Sequence, residues 1–212
     1  MSDSLPVRPS PFVYKTLVRA ERMLYHAVGH STGGSELDRM LAIHGLDNAC
    51  EFLLRVIGDH LELESRGGKS LDFADFNSLA GETSKSLNSL YGYRLPYLSD
   101  LKRLHQVRNL VQHGALDPQG DIPRFVEIIR RFFNYVLHDV FGMEEGEVAA
   151  SALIDDSEVK GHLVKAEGFL SRKEYLESVI ASRDAFENAY YRKLVYSDVT
   201  LSLLPAIVLA KN

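Results

Sequence analysis

The chain has 212 residues, 45% of them hydrophobic and 25% charged, the balance of a folded globular protein rather than a disordered one. A net charge of −5 at pH 7 excludes a general polyanion-binding surface, so any nucleic-acid contact has to be local. The lone cysteine, Cys50, lies in the apolar run "DNACEFLL", which rules out an intramolecular disulfide and marks a core thiol.

The N-terminus has no apolar core of signal-peptide type. The most apolar stretch, "LSLLPAIVLA" near the C-terminus, is shorter than the ~20 residues of a membrane span and holds a proline. The expectation is a cytoplasmic protein without a membrane partner. The apolar end itself either docks onto the body or continues into further chain.

A first helix is predicted over residues 11–29, with Pro11 in its first turn and Phe12, Leu17, Leu24 and Val28 near helical spacing. "GHSTGGS" stops it. Ser35 is the predicted N-cap of a long second helix, 36 to about 63, with Glu36 and Asp38 in its first turn. Its apolar positions, among them Leu46, Cys50, Leu53, Leu54 and Ile57, are numerous enough for a central bundle helix. "ESRGGKSLDF" is a loop. It resembles a phosphate-binding loop only distantly, because the full spacing and a preceding strand are missing. A weaker helix, 72–90, carries Gly81 in its middle.

After "YGYRLPY", Ser99 or Asp100 is the predicted cap of a fourth helix that ends near Gly114, a natural residue for the position just past a helix end. A strongly amphipathic fifth helix follows over 122–141, with Pro123 in its first turn. The acidic, small-residue stretch "GMEEGEVAASALIDDSE" reads as a boundary. Beyond it lie two helices meeting near Ser171 and Arg172, a helical hairpin. No convincing strand alternation occurs, and the class is all-α.

The fourth helix contains "LHQVRNLVQHGALDP". Leu101, Leu104, Val107 and Val111 form its apolar face, and Arg108 falls on the flank of that face, where a charge has to be paired or used. His105, Asn109 and His113 form a polar ridge at i, i+4 and i+8, with Gln112 between the ridge and Arg108. Two imidazoles, an amide and an arginine can bind an anion and move a proton. Imidazole changes charge near neutral pH, and the guanidinium fork matches phosphate oxygens. Such groups meet the needs of metal-free RNA cleavage by attack of a 2′-oxygen on phosphorus. On one ideal helix Arg108 and His113 are about 140° apart. Either the last turn loosens at Gly114, or two copies of the helix face each other and pool their groups.

"RNLVQH", residues 108–113, resembles the R-x4-H motif, in its R-N-x-x-x-H form, of the HEPN superfamily. The flanking "AIHGLDNACEFLLRVI" and "DIPRFVEIIRRFFNYVLHDVFG" resemble the helices before and after that motif. The resemblance implies an all-α helical bundle of HEPN type over residues 36–142, preceded by an N-terminal helix and linker, 1–35. A C-terminal helical unit, 143–212, resembles the start of a second such domain. Further, the resemblance implies a metal-independent endoribonuclease of a prokaryotic defence or toxin–antitoxin system. It would use no cofactor and act on RNA as a homodimer through the motif helix, with an antitoxin or other defence protein as possible partner. By the resemblance Arg108, Asn109 and His113 are the candidate catalytic residues; Lys102, His105 and Gln112 lie outside its matched positions and are candidate substrate contacts only as neighbours on the same helix.

The rival expectation is a non-catalytic HEPN-like module for dimerisation and partner binding. In that case Arg108 forms a buried salt bridge to an acid such as Glu51 or Glu127, and His113 merely caps its helix. His26 and His30 share a helix face at metal-ligand spacing but lack a third ligand nearby, so no metal site is expected.

Overall fold

In the computed structural model of the chain, the described residues are 4–63, 71, 74–114, 117–118, 120–144 and 147–196, with side chains described through Tyr191. The apolar stretch near the C-terminus and most of "ESRGGKSLDF" lie outside them. The described residues are helical, with no strand among them. Two compact units divide at Val148 and Ala149.

The first unit holds five helices: α1 (Pro11–Ser31), α2 (Glu36–His60), α3 (Phe76–Tyr91), α4 (Leu98–Gln112) and α5 (Ile122–Asp139). The first 35 residues are therefore not a separate element before the bundle, since α1 packs along α2 as an antiparallel hairpin. Their approach is close. A Cβ built on Gly45 would stand 2.7 Å from the Ala27 Cβ, so the missing side chain lets the helices touch. Ser35 caps α2 as expected from sequence, in a reciprocal capping box with Asp38.

α2 is the central rod, in contact with α1, α3, α4 and α5. It buries Leu46, Cys50, Leu53, Leu54 and Ile57 completely. α5 supplies Phe125, Ile129, Phe132 and Val136, also fully buried. α3 begins at Phe76 because Asp75 caps it, its carboxylate accepting the Asn77 and Ser78 backbone N–H groups at 3.0 and 3.1 Å.

α4 starts differently from the sequence expectation. Neither Ser99 nor Asp100 caps it. The chain turns into the helix at Tyr97 in a left-handed conformation (φ 57°), with no side-chain cap. Asp100 sits inside the first turn, where an acid suits the helix dipole, and accepts from Arg124 of α5 at 2.8 Å. At the other end Gly114 adopts φ 69° and its N–H reaches the Val111 carbonyl at 3.0 Å. This is the helix stop that the sequence predicted at that position.

The second unit contains a short 3-10 turn (Ala150–Leu153) and the hairpin α6 (Ser157–Ser171) and α7 (Tyr175–Tyr196). The helices meet where the sequence indicated, and Lys173 takes φ 62° in the turn between them. Ser151 ties the 3-10 turn to α6: its N–H and hydroxyl donate to the two carboxylate oxygens of Glu167 at 2.9 and 2.7 Å. No helix among the described residues is long and apolar enough to cross a membrane.

Candidate functional site on the fourth helix

The site begins with a buried acid on α2. Asp47 is completely buried, surrounded in sequence by the apolar residues Ile43, Leu46, Cys50 and Leu54. An unpaired carboxylate there would be very costly. Two basic groups from α4 meet it. His105 places Nδ1 3.1 and 3.2 Å from the two Asp47 oxygens, and Arg108 places Nε 3.2 Å from Oδ2. The Nε contact is an ion-pair separation but not an aligned hydrogen bond, so this buried N–H has no acceptor. Burial still dominates, and the Asp47 carboxyl is pushed above its ordinary range despite the His105 and Arg108 charges.

That balance has a sign. A carboxyl with a raised pKa binds more protons folded than unfolded. Its contribution is most favourable below the ordinary value of 3.8 and is lost as pH rises through the folded value. Asp47→Asn therefore gains stability relative to wild type as pH climbs from about 4 towards neutrality. Urea midpoints of the two proteins across that range measure it. A wild type that gains on the variant with rising pH would mean that pairing outweighs burial.

Arg108 is anchored by hydrogen bonds through Nη1, which donates to Asn109 Oδ1 at 2.9 Å and Gln112 Oε1 at 3.0 Å. The side chain retains 24% exposure, so part of its fork reaches solvent. The acid that meets Arg108 is neither of the two expected from sequence. Glu51 lies one turn further along α2 and is taken by Arg55 at 2.6 Å, while Glu127 pairs with Arg131 on the exposed side of α5.

His113 closes the helix. Its backbone N–H donates to the Asn109 carbonyl at 3.2 Å, and its side chain is exposed with no bonded partner among the described residues. The chain beyond it is anchored to α2: Arg39 donates from Nε and Nη2 to the two Asp117 oxygens, 2.9 Å each. This bidentate pair fixes the direction in which the chain leaves α4.

The expected ridge is not uniform. Gln112 and His113 are exposed, and Asn109 is half-buried with its Oδ1 accepting from Arg108. His105, also half-buried, is stacked on Phe76 of α3 at 4.5 Å and 4° and bonded to Asp47. Its ring is a structural bridge rather than an open substrate contact. Lys102, half-buried, lies two turns before Asn109 on the same side of the helix.

Three residues of this cluster escaped the sequence reading: Asp47, Phe76 and His44. The signal for Asp47 was present, since it stands inside the apolar stripe of its helix just as Arg108 flanks that of α4. His44, one turn before Asp47, is half-buried, and burial followed by the Arg108 charge pushes its pKa down. It is a neutral imidazole beside a guanidinium at neutral pH. Cys50, fully buried near Asp47, has its thiol pKa pushed well up by burial and is an inert core group.

His26 and His30 pack edge to face at 4.8 Å, and His30 Nδ1 lies 3.2 Å from Asp38 Oδ1. No group of three or more possible metal ligands occurs among the described residues. Compared with known proteins, the chain matches no family model, no curated protein and no solved structure.

Proposed function

We propose that the chain is a HEPN-type, metal-independent endoribonuclease and that the exposed end of α4 is its catalytic half-site. The observation that carries this reading is the posture of Arg108. Its Nε lies at ion-pair distance, 3.2 Å, from the buried Asp47, and two neutral amides accept from Nη1. The guanidinium is thereby oriented, and Asp47 is the one acid paired with it among the described residues. Five residues later an unpartnered imidazole, His113, stands at the helix end.

In the proposed reaction the 2′-OH gives up its proton to an imidazole and its oxygen attacks the adjacent phosphorus. The bond to the 5′-oxygen breaks, and that oxygen leaves with a proton. The products are a 2′,3′-cyclic phosphate and a 5′-OH. Arg108 stabilises the extra negative charge on the phosphate oxygens. His113 carries a proton at one of the two oxygens. Asn109 and Gln112 orient Arg108, and Lys102 offers a charge to a neighbouring phosphate. A second copy of α4, facing the first, brings together groups that are about 140° apart on one ideal helix. RNA is the substrate, and a prokaryotic defence or toxin–antitoxin system in the cytoplasm is the setting.

One observation favours the rival module without catalysis: Arg108 already has a carboxylate partner in its own chain. The two readings separate in a simple experiment. A mixed RNA pool is incubated with the protein in excess EDTA, beside the same pool carrying 2′-O-methyl groups. Cleavage of the first and not the second is the expected result. A folded protein that cleaves neither is the interaction module instead.

A further inference from the structure

We infer that His44, on α2, is the base that takes the 2′-OH proton beside Arg108 of its own chain, an inference that rests on the ribonuclease reading of the site. Cleavage moves two protons, one off the 2′-oxygen and one onto the leaving 5′-oxygen, so it calls for two groups. His113 accounts for one of them. Few other imidazoles are free to act. The chain has eight histidines. Five of them, His30, His60, His105, His138 and His162, lie within hydrogen-bond distance of a partner in the chain. His26 packs its ring on His30. His44 and His113 remain, with neither a hydrogen-bond partner nor a stacked ring among the described residues.

The packing of α4 on α2 brings His44 to the site. The two helices run antiparallel: Asp47 meets His105 and Arg108, while Arg39, two turns earlier on α2, meets Asp117 beyond the end of α4. His44 stands between these anchors, one turn before Asp47 and on the same side of α2. A residue there is level with Asn109 and Leu110 of α4. The Arg108 side chain reaches towards that level, because its Nη1 donates to Asn109 and Gln112. His44 is half-buried and so keeps access to solvent.

The charged groups that act on His44 are Arg108 from α4 and Asp47 from its own helix. Burial first, and then the Arg108 charge, push its pKa below the ordinary 6.5, while Asp47 pulls the other way. The ring is therefore neutral at pH 7, the form a base requires. Arg108 cannot take this role, since a guanidinium does not give up its proton. Nor can His105, whose Nδ1 faces Asp47 and whose ring is stacked on Phe76. In the reaction a ring nitrogen of His44 takes the 2′-OH proton as the 2′-oxygen bonds to phosphorus. The bond from phosphorus to the 5′-oxygen breaks, and His113 of the facing copy gives that oxygen a proton. Exchange with water then resets both imidazoles.

The test is RNA cleavage in EDTA by wild type, His44→Gln and His44→Ala from about pH 5 to 8. The wild-type rate is expected to fall as pH drops below 6.5, where His44 gains a proton. His44→Gln should be slower by about 10² or more at neutral pH and should lose that acid-side fall. Added imidazole should restore part of the rate in His44→Ala and none in Arg108→Ala. His26→Gln, on an exposed position of α1, should cleave like wild type. A wild type that cleaves beside His44 variants of equal rate overturns the inference and leaves the ribonuclease reading standing. A slow His44→Gln that keeps the acid-side fall overturns it too, since the residue is then only structural. A folded wild type that leaves RNA intact removes both. If His44→Ala fails to fold, the rate and pH profile of His44→Gln decide.

Discussion

Phe132→Ala is expected to lower the stability of the first unit by about 3–5 kcal/mol, the cost of removing a fully buried ring and leaving a cavity. Phe132 lies on the inner face of α5, completely enclosed and edge-on to Phe133 at 6.3 Å. α5 packs on α1, α2 and α4 together, so no single neighbour can move in to fill the space without disturbing the others. Folded domains hold only about 5–15 kcal/mol in total, so the variant loses a large share of its margin. For a unit of this size the melting temperature should fall by roughly 10 °C or more. Leu110→Ala, on the exposed side of α4, is the contrasting case and should stay within about 0.5 kcal/mol. Equal melting of wild type and Phe132→Ala would mean that α5 does not contribute Phe132 to the core.

The second large effect is on RNA cleavage. His113→Ala should reduce the rate by about 10²–10⁴, the usual contribution of a positioned proton-transfer group. Since its side chain is exposed and bonds to nothing described, stability should change by less than about 0.5 kcal/mol. Arg108→Ala should lose about as much activity but also some stability, because Asp47 keeps only His105 as a partner. Arg108→Lys separates the two effects. A lysine restores charge near Asp47 but not the planar fork, so stability recovers more than cleavage does. The double variant should be little worse than either single one, as expected for groups that act in one step.

Much of the bundle was legible because its signals are local. Ser35 with Asp38 three residues on, Pro11 at a helix start and Gly114 at a helix end each act through neighbours in sequence. The start of α4 was not legible, since it depends on a tyrosine in a left-handed conformation, which few sequence patterns announce. In the candidate site, the motif residues could be found in one short stretch. Their supports could not: Asp47 lies 58 residues from His105, and only packing of α2 on α4 brings them together. The same limit hid the role of His105, which looked like a ridge residue on its own helix and became half-buried once α3 laid Phe76 over it. For α7, periodicity showed a helix but not which of its apolar sides would find a partner within the chain.

The most direct measurement is end-group analysis of RNA incubated in EDTA with wild type, Arg108→Ala and His113→Ala, each checked for folding. The wild type should leave 2′,3′-cyclic phosphate ends and either variant almost none. Cleavage that persists in both variants, or a folded wild type that leaves RNA intact, would contradict it.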